Sequence, residues 1–393
     1  MKRVYLDHCA TTPVHPAVRK AMLPFLRDSF GNPSSAHALG RTTREAIEEA
    51  RTRVASLIGA GRAEIVFTSG GTEADNLAIR GIACARKDRG NHIITSVIEH
   101  HAVSRTCEHL ERNGFAVTYL PVDSDGLVNP EDVRKALTEK TILVTIMHSN
   151  NEVGTIEPIA EIGRITSEKG VAFHTDAVQS VGKVPIDVNE LNVDLIAIAA
   201  HKLYGPKGIG ALYIREGIDI DPIIFGGGQE RGLRSGTENV ASIAALGMAC
   251  EVAREKALPL MDRIGKLRDT LQKKISVAIA DLAINGHPIS RLPGVLSVSA
   301  PGINAEEIVR ELDARGIAVS AGSACTSHSV EISHVLSAMG IPKEIAQGTV
   351  RMSLGIANTA GEIEYAAASF IEVVEKLKTL SEIEGSLGSR RCY

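Results

Sequence analysis

Short apolar runs alternate with longer amphipathic segments between residues 44 and 250, and this order constrains the fold more than any other feature of the chain. Most of the runs are continuous rather than alternating in polarity, which is typical of strands that are buried on both faces. The order predicts an α/β fold with a mostly parallel seven-stranded sheet that is flanked by helices. The predicted strands are Ile65–Thr68, His92–Val97, Val117–Leu120, Ile142–Met147, Val171–His174, Leu195–Ala200 and Gly210–Ile214.

The order of the elements changes after Ala253, which indicates a second structural unit. A long helical segment, Glu255–Ala280, is followed by strands and helices in a less regular order. We therefore expect a large domain over residues 15–254 and a smaller α+β domain made of residues 1–14 and 255–393. The strands predicted in the smaller domain are Val295–Ala300, Ile317–Ala321 and Thr349–Leu354.

Composition and charge exclude several classes of protein. Lys and Arg total 43 against 47 Asp and Glu, and with a net charge of −4 the chain is not expected to bind nucleic acid or an anionic membrane. No apolar run approaches the ~18 residues of a membrane span. No two of the six cysteines have the C-x-x-C spacing. Its absence favours reduced thiols in a cytoplasmic protein over a structural zinc site or a disulfide framework.

Polar side chains cluster at the carboxyl ends of the predicted strands, where ligands bind in open α/β sheets. The first cluster, Ser69–Asn76, precedes a helix, and its glycines and Thr72 suit phosphate binding at a helix N-terminus. An ordinary helix cap is the alternative. In the second cluster, Glu99–Ala102, His100 either stacks on a ring and moves protons or is a polar loop residue. The third cluster, His148–Glu152, offers paired amides, with turn chemistry as its alternative.

An acid and an amine follow two buried strands, 26 residues apart in the chain. A buried acid such as Asp176 is costly unless it is paired, and holding a cofactor's pyridine nitrogen protonated would offset that cost. A helix cap is the alternative. Lys202 directly follows an apolar strand, where desolvation lowers the pKa of an amine and suits it to form a Schiff base. An Asp and a Lys in this arrangement are what a pyridoxal phosphate site needs.

Three further features lie nearer the C-terminus. Gly226–Thr237 is a glycine-rich, basic loop that is more specific than a linker requires. Ser320–His328 places Cys325 among small polar residues, which favours a reactive thiol over a buried small hydrophobe. Arg351 interrupts an apolar strand and suits the capture of a carboxylate, with a structural ion pair as the alternative.

These motifs, in this order, resemble the pyridoxal-phosphate-dependent cysteine desulfurases of the NifS/IscS kind, in the class V aminotransferase superfamily. The resemblance extends to about Leu354 and implies the fold type I of PLP-dependent transferases. The motif at Gly322–Ser327 is typical of the group I branch, whose catalytic loop is long. The other matching segments are Tyr5–Pro13, Gly31–Ser35, His201-Lys202 and Gly205–Gly208.

The resemblance implies a role for each residue that matches a family motif. Lys202 would hold the cofactor as a Schiff base, His100 would stack on its ring and move protons, and Cys325 would be the nucleophile. Asp176 would pair with the pyridine nitrogen, and Gln179 would donate to the ring hydroxyl. The implied phosphate contacts are Gly71, Thr72, His201 and, from a second subunit, Thr237. The implied substrate contacts are Asn32, Asn151 and Arg351, of which Asn151 also contacts the cofactor.

The implied reaction converts L-cysteine to L-alanine. Lys202 removes the α-proton while the cofactor acts as an electron sink, and the Cys325 thiolate attacks the substrate's sulfur to leave a persulfide. The resemblance also implies a homodimer and a scaffold protein that accepts the sulfur for iron–sulfur cluster assembly. Cys325 is the one candidate metal ligand, as part of a cluster shared with such a scaffold.

Two positions depart from the family pattern. The family usually has a phosphate-binding Ser three residues before the lysine, and this position is Ala199 here. One hydrogen bond to the phosphate is therefore lost, which predicts weaker cofactor retention. The longer scaffold-docking tail of many relatives is not recognisable after Leu380.

Two alternative functions remain open from the sequence. The chain could be a selenocysteine lyase or a related aminotransferase, although transamination needs no thiol and Cys325 argues against it. It could instead be a catalytically weak sulfur- or cluster-binding partner of a scaffold protein, which Ala199 alone favours.

Overall fold

The seven-stranded sheet is at the centre of the computed structural model, which describes residues 3–322 and 332–389, with side chains up to Leu380. Its strands are β2 (Ile65–Thr68), β3 (His92–Ser96), β4 (Ala116–Leu120), β5 (Thr141–Thr145), β6 (Ala172–Asp176), β7 (Leu195–Ala199) and β8 (Gly210–Ile214). Across the sheet the order is β2-β8-β7-β6-β5-β3-β4. Only β8 runs antiparallel to its neighbours in this sheet, so the predicted α/β fold with a mostly parallel sheet is confirmed.

Helices cover both faces of this sheet, as strands without a polar face require. They are α1 (Pro16–Arg27), α2 (Ala38–Leu57), α3 (Gly71–Ala85), α4 (His101–Glu111), α5 (Pro130–Ala136), α6 (Ile159–Glu168) and α7 (Val240–Val252). Leu77 of α3 and Val103 of α4 belong to the core on one face, and Val54 of α2 and Leu246 of α7 belong to the core on the other. We call this sheet and these helices the large-sheet region.

A second, antiparallel sheet carries the later part of the chain together with the N-terminus. Its strand order is β12-β13-β10-β9, and β1 pairs in parallel with β11 beside it. The strands are β1 (Val4–Tyr5), β9 (Ala283–Asn285), β10 (Val295–Ser299), β11 (Ile317–Ala318), β12 (Ser320–Ala321) and β13 (Thr349–Ser353). The helices are α8 (Met261–Ala278), α9 (Ala305–Ala314), α10 (His334–Ala338), α11 (Lys343–Ala346) and α12 (Ala360–Ser389). We call these elements the small-sheet region; the residue limits of the two expected domains stay predictions.

The helical segment expected over Glu255–Ala280 is not one regular α-helix. Ala253–Ala257 is a π-helical turn and Leu258–Leu260 is a 3₁₀ turn, so the α-helix begins only at Met261. Pro259 explains the interruption, because proline lacks an N–H and its ring clashes with the carbonyl four residues earlier.

The single strand expected over Ile317–Ala321 is wrong. β11 pairs with β1, whereas β12 pairs with β13 of the other sheet. The chain therefore passes from one sheet to the next at Val319. Within the described part of the chain, no helix combines the length and the apolarity that a bilayer span demands.

Candidate active site

A cavity of about 530 Å³ lies where the carboxyl ends of the large-sheet strands face the small-sheet region. Parallel strands bring their carboxyl ends to one edge, so residues far apart in the chain meet there. Nine of the predicted site residues line the cavity: Gly71, Thr72, His100, Asn151, Asp176, Gln179, His201, Lys202 and Arg351.

Lys202 supplies a nucleophilic amine to the cavity. It ends a 3₁₀ turn, Ala200–Lys202, that directly follows β7. Its Nζ donates to the main-chain carbonyls of Cys9 at 2.5 Å and Ala10 at 3.1 Å. Burial and the nearby charge of Lys183 lower the pKa of Lys202 to about 8. Lys202 is therefore the free amine in about a tenth of the molecules at pH 7, far more than for an ordinary lysine.

Asp176 places a carboxylate at the end of β6, where it is 7% exposed. Its Oδ1 accepts the main-chain N–H of Val178 at 2.9 Å. Burial raises the pKa of Asp176, and the nearby His100 and Lys202 oppose that rise. A protonated pyridine would give this buried acid a counterion, and that pairing stays a prediction.

His100 caps the N-terminus of α4, and its Nδ1 accepts the N–H of Ala102 at 3.1 Å. Since Nδ1 is the acceptor, the neutral ring carries its proton on Nε2. Burial lowers the pKa of His100, while Asp176 opposes the shift. The ring is thus held in one orientation and one tautomer at the wall of the cavity.

The N-terminus of α3 lies at the cavity, where the sequence predicts a phosphate site. A side chain at Gly71 would place its Cβ 2.7 Å from Cγ2 of Val178, so glycine is required for the close approach of helix and neighbouring loop. Thr72 adds a hydroxyl in the first turn. His201 lies nearby with its Nδ1 3.2 Å from Oγ1 of Thr11. Burial lowers the pKa of His201 to about 4, so the ring is neutral near pH 7.

Gln179 is tied to the N-terminal segment of the chain. Its Nε2 donates to the carbonyl of Cys9 at 3.0 Å, and its Oε1 accepts from Nζ of Lys183 at 3.0 Å. The amide therefore already has partners on both sides. For Gln179 to donate to a ring hydroxyl of the cofactor, its amide must give up the hydrogen bond to the carbonyl of Cys9.

Arg351 on β13 contributes the cation of the small-sheet region to the cavity. Its Nη1 donates to the carbonyl of Asn151 at 2.9 Å, and its Nη2 donates to Oδ1 of Asp7 at 2.9 Å. Its Nε is buried without a hydrogen-bond partner among the described residues. Glu152 lies within electrostatic range of Arg351, and burial raises the pKa of that carboxyl to about 7.

These groups fit pyridoxal phosphate, the cofactor that the sequence resemblance implies. The amine of Lys202 suits the aldehyde carbon, and the carboxyl of Asp176 suits the pyridine nitrogen. The N-terminus of α3, with Gly71 leaving room beside Val178, suits the phosphate. Ala199 also lines the cavity and adds no hydroxyl there.

Two predicted site residues in the described part of the chain do not line the cavity, and a third lies outside the described residues. Asn32 is exposed, and its Oδ1 accepts the N–H of Ser34 at 2.9 Å. Thr237 lies in an exposed loop outside the cavity. Cys325 lies outside the described residues. The roles of these three stay predictions.

Sequence reasoning missed the residues that hold the functional groups in place. Glu152 lines the cavity and accepts a hydrogen bond from Oγ of Ser333 at 2.5 Å. The ring of His334 stacks on that of His101, with the ring centres 5.1 Å apart. Position at a strand end could have signalled Glu152, which lies in the third polar cluster. Nothing local in the sequence links Asp7 to a strand more than three hundred residues away.

Comparison with known proteins identifies the family. A family model described as aminotransferase class-V matches residues 4–366. A cysteine desulfurase IscS from Dictyoglomus turgidum is 52% identical over 382 residues, covering 97% of each chain. A solved structure described as a NifS-like protein is 41% identical, with a TM-score of 0.90 over 96% of this chain and all of its own.

A second solved structure is also similar to this chain. SspA in complex with cysteine is 39% identical, with a TM-score of 0.81 over 91% of this chain and all of its own. The family match, the identity over nearly the full length and the shared fold agree with one another. The chain therefore belongs to the class V aminotransferases and, within them, to the cysteine desulfurases of the NifS/IscS kind.

Proposed function

We propose that this chain is a pyridoxal-phosphate-dependent cysteine desulfurase that converts L-cysteine to L-alanine and leaves the sulfur as a persulfide on Cys325. The observation that carries the proposal is the meeting of three groups in one cavity: the amine of Lys202, the carboxyl of Asp176 and the guanidinium of Arg351. The class V aminotransferases to which the chain belongs depend on pyridoxal phosphate.

Each part of the cofactor would be bound by residues of matching chemistry. Lys202 would hold the aldehyde carbon, Asp176 would keep the pyridine nitrogen protonated, and the N-terminus of α3 with Thr72 and His201 would bind the phosphate. His100 would stack on the ring. When bound, pyridoxal phosphate supplies an electron sink that stabilises negative charge at the substrate's α-carbon.

Lys202 is the base for the α-proton. A pKa of about 8 gives the amine a free lone pair near neutral pH and lets its conjugate acid return the proton. His100, neutral with its proton on Nε2, is placed on the same wall to move a proton at the substrate's sulfur.

Arg351 orients the substrate through its carboxylate. Two of its donors already bond Asp7 and the carbonyl of Asn151, which fixes the plane of the guanidinium. The buried Nε has no partner among the described residues and is a donor for the incoming carboxylate. Asn151 lines the same part of the cavity and limits how the substrate lies.

Cys325 accepts the sulfur in a balanced exchange. Its thiolate forms a sulfur–sulfur bond as the substrate's carbon–sulfur bond breaks, and the electron pair of the broken bond stays on the β-carbon. A proton completes the methyl group of alanine. No external oxidant or reductant is needed.

The assay that tests this function reads alanine and sulfide together, anaerobically, from L-cysteine with the cofactor-loaded protein. We expect equal amounts of alanine and sulfide in the presence of a thiol reductant. Cys325→Ala should abolish sulfide release yet keep the bound cofactor's visible absorption, whereas Lys202→Ala should lose both. A loaded wild type that yields no alanine would overturn the proposal.

We also propose a homodimer in which each copy completes the other's cavity. Thr237 and Asn32 do not line the cavity of their own chain, and a large exposed apolar residue precedes each in the sequence: Phe225 at 82% and Phe30 at 73% exposed. Exposed apolar side chains of this size are typical of interaction surfaces.

The loop that carries Thr237 is held firmly enough to present it. Glu230 of that loop accepts from both terminal nitrogens of Arg51, at 2.7 and 2.8 Å, and from the N–H of Phe67 at 2.8 Å. The ion pair is buried, so the loop keeps its place on the large-sheet region.

Mixed dimers test this arrangement. A Lys202→Ala chain paired with a Thr237→Ala chain forms one cavity with both residues intact and one with neither, so cofactor retention in the mixture should exceed the average of the two separate variants. Retention no better than the average of the two separate variants would contradict the exchange of Thr237. Phe30→Glu should shift the sedimentation coefficient toward that of a monomer.

The sulfur acceptor is proposed to be a scaffold protein for iron–sulfur cluster assembly in the cytoplasm. The relatives named IscS support this class of acceptor. Transfer of labelled sulfur from the persulfide to a cysteine-bearing scaffold, absent with Cys325→Ser, would test it. Release of all the sulfur as free sulfide in the presence of the scaffold would count against it.

A further inference from the structure

Two fully buried polar side chains on the cofactor's side of the large sheet have no part in the proposed reaction. Asp75, one turn into α3, is 1% exposed and lines the cavity. His174 on β6 is 0% exposed. Because His174 and Asp176 are two residues apart on one strand, their side chains lie on the same face of the sheet. His174 therefore shares a face of the sheet with Asp176, and Asp75 lies within electrostatic range of the Asp176 carboxyl.

The two side chains are aimed at each other. Oδ1 of Asp75 is 3.6 Å from Nε2 of His174, and neither atom has a hydrogen-bond partner among the described residues. On the other side of the ring, Nδ1 of His174 is 2.8 Å from Oγ1 of Thr145 on the neighbouring strand β5. Thr145 thus fixes the ring so that Nε2 points toward Asp75. The gap is slightly longer than a hydrogen bond, and a small rotation of either side chain closes it.

We propose that Asp75 and His174 hold one proton between them as a neutral pair, and so leave Asp176 the single carboxylate charge beside the cofactor's ring. The two are positioning residues, since they act through Asp176, and the proposal rests on the cofactor site of the proposed function. In the pair, the Asp75 carboxyl donates to Nε2 of His174, and Nδ1–H of His174 donates to Oγ1 of Thr145.

The electrostatics of the surroundings agree with a neutral pair. Burial raises the pKa of Asp75 well above its usual range, and the nearby Asp176 and Glu99 add to the rise. Burial lowers the pKa of His174 to about 3. Both shifts leave the proton on the carboxyl and the imidazole uncharged.

Two carboxyls lie within electrostatic range of Asp75: Asp176, on the same strand as His174, and Glu99, in the loop after β3. His100, in the same loop as Glu99, and Lys202, after β7, act on Asp176. Glu99 accepts from Ser96 and from the N–H of Met147, and burial raises its pKa to about 8. An ionised Asp75 would add a second negative charge beside Asp176 in a site that water does not reach. The neutral pair prevents that repulsion.

The test titrates the visible absorption of the bound cofactor in the loaded enzyme, before any L-cysteine is added. Removing the ring in His174→Ala lets water reach Asp75, which then ionises. An added negative charge favours the protonated form of the cofactor, so the midpoint of the titration should rise by about one pH unit. Asp75→Asn carries a neutral donor in place of the carboxylic acid and should leave the midpoint where it is in the wild type.

The double variant identifies the source of the shift. If the shift comes from the charge of Asp75, Asp75→Asn in the His174→Ala background should return the midpoint to the wild-type value. His174→Gln, whose side-chain oxygen can accept from Asp75, should also restore it. His92→Ala is the matched control, because His92 is a buried histidine that bonds Thr118 and Thr141 outside the cavity.

The outcomes separate this inference from the proposed function. A shift that survives in the double variant, or a midpoint that moves in Asp75→Asn alone, would overturn the neutral pair while the enzyme remains a desulfurase. A wild type that acquires no visible absorption on loading would overturn both. If His174→Ala does not fold, infrared spectra decide: Asp75→Asn should lack one protonated-carboxyl band that the wild type has, and its retention would refute the proposal.

Discussion

The two walls of the cavity hold their functional groups in different ways. The first wall, formed by the large-sheet region, uses hydrogen bonds to main-chain atoms, whereas the second wall, formed by the small-sheet region, holds Arg351 partly by an ion pair. Lys202 bonds two backbone carbonyls, and Asp176 bonds a backbone N–H. Arg351 also bonds a main-chain carbonyl, that of Asn151, but its second partner is the carboxylate of Asp7, and Glu152 is nearby.

This difference separates two tasks. Groups that are buried with few opposite charges have their pKa values shifted toward the uncharged form, as for Lys202, and such groups can exchange protons during a reaction. A buried guanidinium with a carboxylate partner stays charged and serves to recognise an anion. The first wall is therefore suited to chemistry and the second to substrate recognition.

The largest expected effect concerns Lys202 and the first wall. Uptake of pyridoxal phosphate by the apoprotein needs the free amine, so the uptake rate should rise with pH and level off above pH 8, where Lys202 has lost its proton. Between pH 6 and pH 8 the rate should increase by about fiftyfold, and by about a further factor of two on the plateau above pH 8. Rapid mixing with detection of the visible absorption measures it. An increase that continues toward pH 10.5, the ordinary value for lysine, would contradict the lowered pKa.

The second prediction concerns Arg351 and the second wall. Arg351→Ala removes the charge that binds the substrate's carboxylate, and KM for L-cysteine should rise by about 10- to 100-fold. The absorption spectrum of the bound cofactor should not change, since the first wall is intact. Arg315→Ala is the control, because Arg315 pairs with Glu372 elsewhere in the small-sheet region. A loss of cofactor in Arg351→Ala would show that the two walls are not separate.

The third prediction concerns Glu152, which has a pKa of about 7. Below pH 7 the carboxyl is protonated and neutral; above it, the anion competes with the substrate's carboxylate for Arg351. KM should therefore rise by about two- to fivefold as the pH passes upward through 7, and Glu152→Gln should flatten this rise. Steady-state assays across that range measure it. A KM profile that is equally steep in Glu152→Gln and in the control Glu157→Gln would exclude the role.

The smallest expected effect restores a hydrogen bond to the first wall. Ala199 lines the cavity beside Gly71, so Ala199→Ser offers a hydroxyl to the phosphate. The Kd for pyridoxal phosphate should fall by about two- to tenfold. Equilibrium dialysis measures it, with Ala197→Ser as a control that buries a hydroxyl on the same strand outside the cavity lining. Equal Kd values for Ala199→Ser and the wild type would show that the phosphate lies elsewhere.

The cavity's large-sheet wall was largely predictable from the sequence. Asp176 and Lys202 each follow a continuous apolar run, and such runs identify strands buried on both faces. Once the strands are parallel, geometry brings their carboxyl ends together, so polar residues that follow them must share one edge of the sheet.

The small-sheet wall was predictable only in part. Arg351 could be recognised as an exception within an apolar strand, but its partner could not, because Asp7 is brought to it by the pairing of β1 and β11 and by a bridge from Asp7 to Ser353. The contact between Ser333 and Glu152 likewise depends on how α10 packs against the loop after β5.

By itself, the sequence determined the α/β class, the strands and the residue types at their ends, because these follow from local apolar patterns and from the properties of parallel sheets. The tertiary structure alone decided which charges are paired and which are left neutral. Burial and neighbours distant in the chain set the protonation states of the Lys202 amine, the Arg351 ion pair and the facing atoms of Asp75 and His174. Desolvation and long-range contact act only after the two regions pack together.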